Sequence, residues 1–166
     1  MRAFDASSII HAWDHYPIVQ FPSLWNWLGE RIAAGDPCMC EVAMGEVKKR
    51  APDCHAWLCE HGIKSVVITN AALIKASDIE ARLGIANQRY NRAGVGENDI
   101  LIIASAFDAG HELISNEARQ DDWRKIMNFA KYKIPTVCDL DEVAVPCSNF
   151  LQFIKGSRVV FDSGKR

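Results

Sequence analysis

Long apolar runs are missing from this sequence of 166 residues. No stretch approaches the roughly 18 apolar residues that a membrane-spanning helix needs, so no membrane span is expected. The opening MRAFDASSII carries no basic stretch ahead of a long apolar one. That excludes the pattern of a secretory signal and makes the cytoplasm the expected compartment. A surplus of positive charge is missing too: 19 Lys and Arg stand against 21 Asp and Glu, a net charge of −2. This excludes a protein that coats nucleic acid through its average charge, but not one that meets nucleic acid at a single cleft. Repeats, low-complexity segments and linkers are absent. No His-Glu-x-x-His motif is present, and His11 and His15 read as a solvent- or partner-facing pair. The G-x-G of GVGEND follows no strand, so no dinucleotide site is expected.

Hydrophobic residues make up 49% and charged ones 24%. That balance describes a folded domain, and the length suits one domain with a proper core. Six cysteines stand out: Cys38, Cys40, Cys54, Cys59, Cys138 and Cys147. With no secretory signal, disulfides are not the default. The first four run C-x-C then C-x4-C, a poor match to the paired two-residue gaps of zinc sites. They read instead as small buried hydrophobes or as free thiols on helices.

Along the chain, residues 2–6 read as a short strand, followed by a helix through IIHAWDH with Ser7 or Ser8 as its cap. SLWNWLGERIAAG has Leu24, Trp25, Leu28 and Ile32 at helical spacing, with Ser23 as candidate cap and Gly35 as stop. DPCMC is a short turn or strand. EVAMGEVKKR and PDCHAWLCEHG are helices, and SVVIT is a strand or an extended lead. NAALIKASDIEARLGIANQRY is a long helical pattern with Asn70 as its cap. DILIIASAFDAG reads as a buried helix, HELISN as a strand and QDDWRKIMNFAKY as a loop or short helix. KIPTVCDL reads as the next strand, LDEVAVP as a helix turn and SNFLQFIKG as a small helix. Strands alternating with helices predict an α/β protein with a mostly parallel sheet covered on both faces, whose chemistry lies beyond the carboxyl ends of the strands.

Four acids fall at telling places. Asp5 ends the first strand, Glu117 follows HELIS, Asp99 opens the buried helix, and Glu46 lies among Ala43, Met44 and Val47. Each has a plain alternative. Asp5 and Asp99 can cap helices, Glu46 can sit on a solvated helix face with Glu41 as the competing acid, and Glu117 can belong to a solvated loop. Carboxylates gathered together repel one another, and burial makes that worse. A hard divalent cation such as Mg2+ or Mn2+ resolves the repulsion, and many nucleases work through such an ion.

The order FDASS, then EVAMGEVKK, then NDILIIASAFDAGHELISNE resembles the PIN-domain ribonucleases over residues 2–156. WDHYPIVQFPSLWNWLGERIAAG is the most particular stretch. It resembles an uncharacterised prokaryotic PIN-like family close to toxin–antitoxin endoribonucleases of the VapC type. The resemblance implies a three-layer sandwich with a central parallel sheet in the order 3-2-1-4-5. It implies a single domain over residues 1–156, followed by a C-terminal tail over 157–166. It also implies that Asp5, Glu46, Asp99 and Glu117 are metal-binding and catalytic, with Ser7 and Ser115 fixing the carboxylates. One departure stands out: the last acid of the pattern is most often Asp, and here it is Glu117, with Asp121 and Asp122 nearby to share its role. Further implications are Mg2+ or Mn2+ as cofactor, an RNA substrate, a cognate antitoxin and a homodimer.

Lys48, Lys49 and Arg50 follow Glu46, and Arg89 and Arg92 precede Asp99. They could hold an RNA backbone, or simply solvate their faces. The expectation is a metal-dependent endoribonuclease, with a non-catalytic RNA- or partner-binding module as the alternative. A receiver-like signalling domain would need a phosphoacceptor Asp and a Lys at the ends of later strands. SVVITN ends in Asn70, and HELISNE offers no Lys.

Overall fold

Strand β1 (Arg2–Phe4) is a short, mostly buried segment, and it ends where Asp5 turns the chain into α1 (Ala6–His15). The cap is Asp5 itself, whose Oδ2 accepts the Ser7 N–H, rather than the expected Ser7 or Ser8. The computed structural model describes residues 1–161, so part of the expected tail, residues 162–166, lies outside the described residues.

Helix α2 (Pro22–Ala33) starts on Pro22, whose missing N–H costs nothing in a first turn, so Ser23 lies inside the helix. Strand β2 (Met39–Cys40) leads into α3 (Glu41–Arg50) and α4 (Pro52–Glu60), with Pro52 separating the two helices. After β3 (Ser65–Val66), Thr69 rather than Asn70 caps α5 (Asn70–Arg82), accepting the Ala72 N–H at 3.0 Å. The long helical pattern expected up to Tyr90 stops at Arg82. Gly84 takes a φ of 67°, and Asn87 and Gln88 follow at 53° and 56°. A positive φ does not fit a right-handed helix, and glycine adopts it at least cost.

Helix α6 (Glu97–Asp108) is the buried helix expected at DILIIASAFDAG, and β4 (Glu112–Ile114) is the strand expected in HELISN. Two 3-10 turns, Trp123–Lys125 and Phe129–Lys131, occupy QDDWRKIMNFAKY. The next expectation fails. KIPTVCDL is not a strand but helix α7 (Ile134–Cys138), and β5 is the later Cys147–Ser148. Every residue of α7 is buried, so its sequence shows no periodicity to tell helix from strand. Pro135, suited to a helix first turn and poor in a central strand, was the available sign. Helix α8 (Phe150–Ser157) opens on a reciprocal cap between Asn149 and Gln152.

The strands are all parallel. β1 pairs with β4 and β4 with β5, while β2 pairs with β3. A parallel bridge between Ala3 and Cys38 joins the two ladders, held by Phe4 N–H to Cys38 O and Cys38 N–H to Arg2 O, both 2.9 Å. The resulting order is 3-2-1-4-5, with helices flanking the sheet. Phe4, Phe150 and Phe153 form an aromatic cluster with centroids 5.5–6.1 Å apart, which locks α8 onto β1. Side chains of this size, fully buried, stabilise a fold by roughly 1.5–3 kcal/mol each. Within the expected tail, the Phe161 ring packs 5.4 Å from Trp27.

Candidate functional site

Sheet order decides where the acids meet. The chain turns left of β1 to reach β2 and right of it to reach β4, so a crevice opens beyond their carboxyl ends. Asp5 follows β1, and Ser115, Asn116 and Glu117 follow β4. The Asp5 N–H still bonds to Ile114 O at 2.9 Å, so the carboxylate stands on the last rung of the ladder.

Asp5 is 3% exposed. Its Oδ2 accepts the hydroxyls of Ser7 and Ser115, the latter at 2.9 Å, and the Ser7 N–H at 3.3 Å. The Ser7 hydroxyl in turn accepts the Asn116 N–H at 3.0 Å, and the Ser115 hydroxyl accepts the Glu117 N–H at 3.3 Å. Burial pushes the Asp5 carboxyl up from its ordinary range. The two serine hydroxyls pull it back, and the charges of Glu117 and Glu46 push it up again.

Asp99 lies in the first turn of α6, its Oδ2 accepting the Gly96 N–H at 2.8 Å. Burial raises its pKa to about 6 against the Gly96 bond, with further upward pushes from Glu117, Asp5 and Glu46. Glu46, half-buried on α3, accepts the Asn98 side-chain N–H at 2.7 Å, which ties α3 to α6. Glu117 accepts the Ile134 N–H at 2.9 Å on Oε2, while its Oε1 lies 3.9 Å from the Lys133 Nζ. Asp5 therefore feels Glu117 and Glu46 across the crevice, and Asp99 feels all three other acids, although the four come from distant parts of the chain.

The neighbouring acids stay apart. Glu41 accepts the Ile68 N–H at 3.1 Å and steadies the lead into α5. Asp122 pairs with Lys125 at 3.0 Å in the open, and Asp121 is exposed. Lys48, Lys49, Arg50, Arg89 and Arg92 are all exposed and form no ion pair among the described residues. Asn98, Asn116, Lys133 and Arg119 were not singled out by the sequence. Asn116 Oδ1 accepts the Phe150 N–H of α8 at 2.8 Å, and Arg119 bridges Asp139 and the Cys147 carbonyl. Beside Glu117, a polar cavity of about 200 Å³ is lined by Ser115, Asn116, Arg119, Asn149 and Gln152. The asparagines directly precede two of the acids in GEND and ISNE, and only that adjacency could have flagged them.

The donors gathered here are carboxylate oxygens, the chemistry that suits a hard divalent ion. Burial first, and then the charges of the neighbouring acids, raise the Asp5 and Asp99 carboxyls above their ordinary range. Among the described residues, no three Asp, Glu, His or Cys side chains converge on one ion as they stand. The bonds to Gly96, Asn98 and Ile134 hold Asp99, Glu46 and Glu117 back. All six cysteines are free of disulfides, and Cys38, Cys40 and Cys54 are buried while Cys59 is exposed.

This α/β fold, with its parallel sheet flanked by helices, is similar to that of solved VapBC structures. Two solved structures share it. The crystal structure of DNA-bound VapBC from Salmonella typhimurium matches with a TM-score of 0.54 at 15% identity, over 90% of this chain and 99% of that one. That of VapBC2 from Rickettsia felis, bound to a DNA fragment from their promoter, matches with a TM-score of 0.51 at 12% identity, over 89% and 97%. No curated protein matches the chain in sequence. The chain belongs to the family described as Domain of unknown function (DUF4411), whose model matches residues 3–161. No helix among the described residues is long and apolar enough to cross a membrane.

Proposed function

We propose that this chain is a metal-dependent endoribonuclease that hydrolyses RNA phosphodiester bonds as the toxin of a toxin–antitoxin pair. The observation that carries the reading is Asp5. It is a buried carboxylate at the switch point of the sheet, raised in pKa and coupled to Glu46 and Glu117, with Asp99 coupled to all three.

Asp5, Asp99 and Glu46 would hold one Mg2+ or Mn2+, and Glu117 would help to hold a second ion or to orient the attacking water. Such an ion would supply activation of water and neutralisation of charge on the phosphoryl oxygens. Ser7 and Ser115 keep the Asp5 carboxylate oriented through Oδ2. For Asp99 and Glu46 to ligate the ion, their hydrogen bonds from Gly96 and Asn98 would have to be exchanged, at about 1 kcal/mol each. Lys48, Lys49, Arg50, Arg89 and Arg92 hold the RNA backbone, which positions the strand without reading its sequence. Water oxygen bonds to phosphorus as the P–O3′ bond breaks in line, and the proton lost by water ends on the 3′-oxygen. The products are a 3′-hydroxyl and a 5′-phosphate.

The catalytic unit spans residues 1–156, ahead of the tail at 157–166, and acts in the cytoplasm as a homodimer. A cognate antitoxin silences it by laying a peptide into the acidic cleft. A second reading, a non-catalytic RNA- or partner-binding module, draws on Glu117, whose carboxylate is occupied by α7 and Lys133.

The test compares the chain with Asp5→Asn on total tRNA and a panel of structured RNAs, with Mg2+, Mn2+ or EDTA. Cleavage that needs metal and drops at least 100-fold in the variant is expected, in line with loss of a metal-activated nucleophile. RNA binding without turnover, in either metal, would leave the module reading standing.

A further inference from the structure

Glu117 is one methylene longer than the aspartate usual at its place in the PIN pattern, and its side chain reaches towards α7. Oε2 takes the Ile134 N–H at 2.9 Å, and Oε1 faces the Lys133 ammonium at 3.9 Å. Both oxygens thus meet positive groups at the amino end of that helix. Lys133 is itself held in place. Its N–H donates to Gln120 Oε1 at 2.8 Å, while Gln120 Nε2 donates to Lys131 O at 3.1 Å. Its residue is the N-cap of α7, so the first turn fixes where the side chain begins. Among the described residues, Lys133 is the one basic side chain ion-paired with any of the four acids.

A carboxylate that already faces an ammonium and accepts a backbone N–H is a poor ligand for a second divalent ion. An added ion would be repelled by the ammonium beside it. An ammonium is also a compact charge with three donors, suited to a phosphate oxygen. We infer that Lys133 supplies the second positive charge of this site. The nuclease works with one divalent ion, Glu117 anchors Lys133 rather than ligating metal, and the Lys133 ammonium contacts the scissile phosphate. This rests on the nuclease reading and replaces the second-ion role of Glu117 with that of a positioning residue for Lys133.

The test is Mn2+ binding to the full chain, by electron paramagnetic resonance and calorimetry, alongside cleavage of total tRNA. The proteins are the wild type, Lys133→Met, Lys133→Arg and Glu117→Gln, each checked for folding by thermal melting. The wild type is expected to bind one Mn2+ per chain, and Glu117→Gln to keep it. Lys133→Met should bind Mn2+ about ten-fold more tightly, because a nearby positive charge is gone. Its kcat should fall by roughly 100-fold with KM little changed, the size of effect seen when one donor to developing charge is removed. Lys133→Arg should recover part of that kcat. Two Mn2+ per wild-type chain, or loss of Mn2+ in Glu117→Gln, overturns the inference even if Lys133→Met fails to fold. Full kcat in Lys133→Met overturns this inference alone, whereas a wild type that neither binds Mn2+ nor cleaves overturns the nuclease reading.

Discussion

Asp5 caps α1 and anchors the acidic crevice with the same oxygen, so the plain reading of this residue and the functional one were never exclusive. Ser115 is its partner from across the sheet. Ser115→Ala removes one of the hydrogen bonds that favour the charged carboxylate, and Mn2+ affinity measured by calorimetry should fall about ten-fold, the lower end of effects for groups that orient ligands. Asp99 makes a prediction about pH. Its folded pKa of about 6 lies above its ordinary value of 3.8. Between those values the folded chain holds more protons than the unfolded one, so stability falls as pH rises from about 4 to 6. Asn also accepts a cap hydrogen bond. In EDTA, Asp99→Asn should therefore be more stable than wild type at pH 7, by on the order of 1–2 kcal/mol, with a flatter profile. Thermal melts from pH 4 to 8 check this, and identical slopes in the two proteins would contradict it.

The elements around the crevice depend on a few close approaches. Gly94 lies in the loop before α6, where an added Cβ would fall 2.1 Å from Ala130 O and 2.8 Å from Lys131 Cα. Both are backbone atoms that no side-chain rotation can move. Val95 N–H then bonds to Tyr132 O at 2.8 Å, which seats this loop against the segment leading to Lys133. Gly94→Ala should cost about 1–3 kcal/mol, as overpacking usually does. At this chain length that lowers the melting temperature by roughly 2–4 °C per kcal/mol, and calorimetric melting measures it. Cleavage should weaken with it, because the loop carries Gly96, whose N–H holds the Asp99 carboxylate. Most of these elements were legible in the sequence. Helix α6 was marked by Asp99 at its start and Gly110 at its end, α3 by Pro52 after it, and α4 by Gly62 after it. Helix α7 was not legible, because burial on every side erased its periodicity, and so the true β5 was missed.

Across the whole molecule the cysteines give a global check on the fold. Six free thiols are present, of which Cys59 is exposed, Cys147 half-buried and the other four buried. A thiol reagent should label Cys59 quickly, Cys147 slowly and all six only after denaturation. A chelator should leave this pattern unchanged, and chelator-released fast thiols would restore a zinc cluster. The order of acids and the alternation of strand and helix were properties of the sequence, because each depends on neighbours within a few residues. Convergence was not such a property. Asp5 and Glu117 stand 112 positions apart by their numbers, and only the parallel pairing of β1 with β4 brings them to one edge. The turn of Glu117 towards Ile134 and Lys133 was likewise decided by tertiary structure. It needs the amino end of a helix that the local sequence does not announce, and a hydrogen bond between distant segments forms only once the sheet has set their positions.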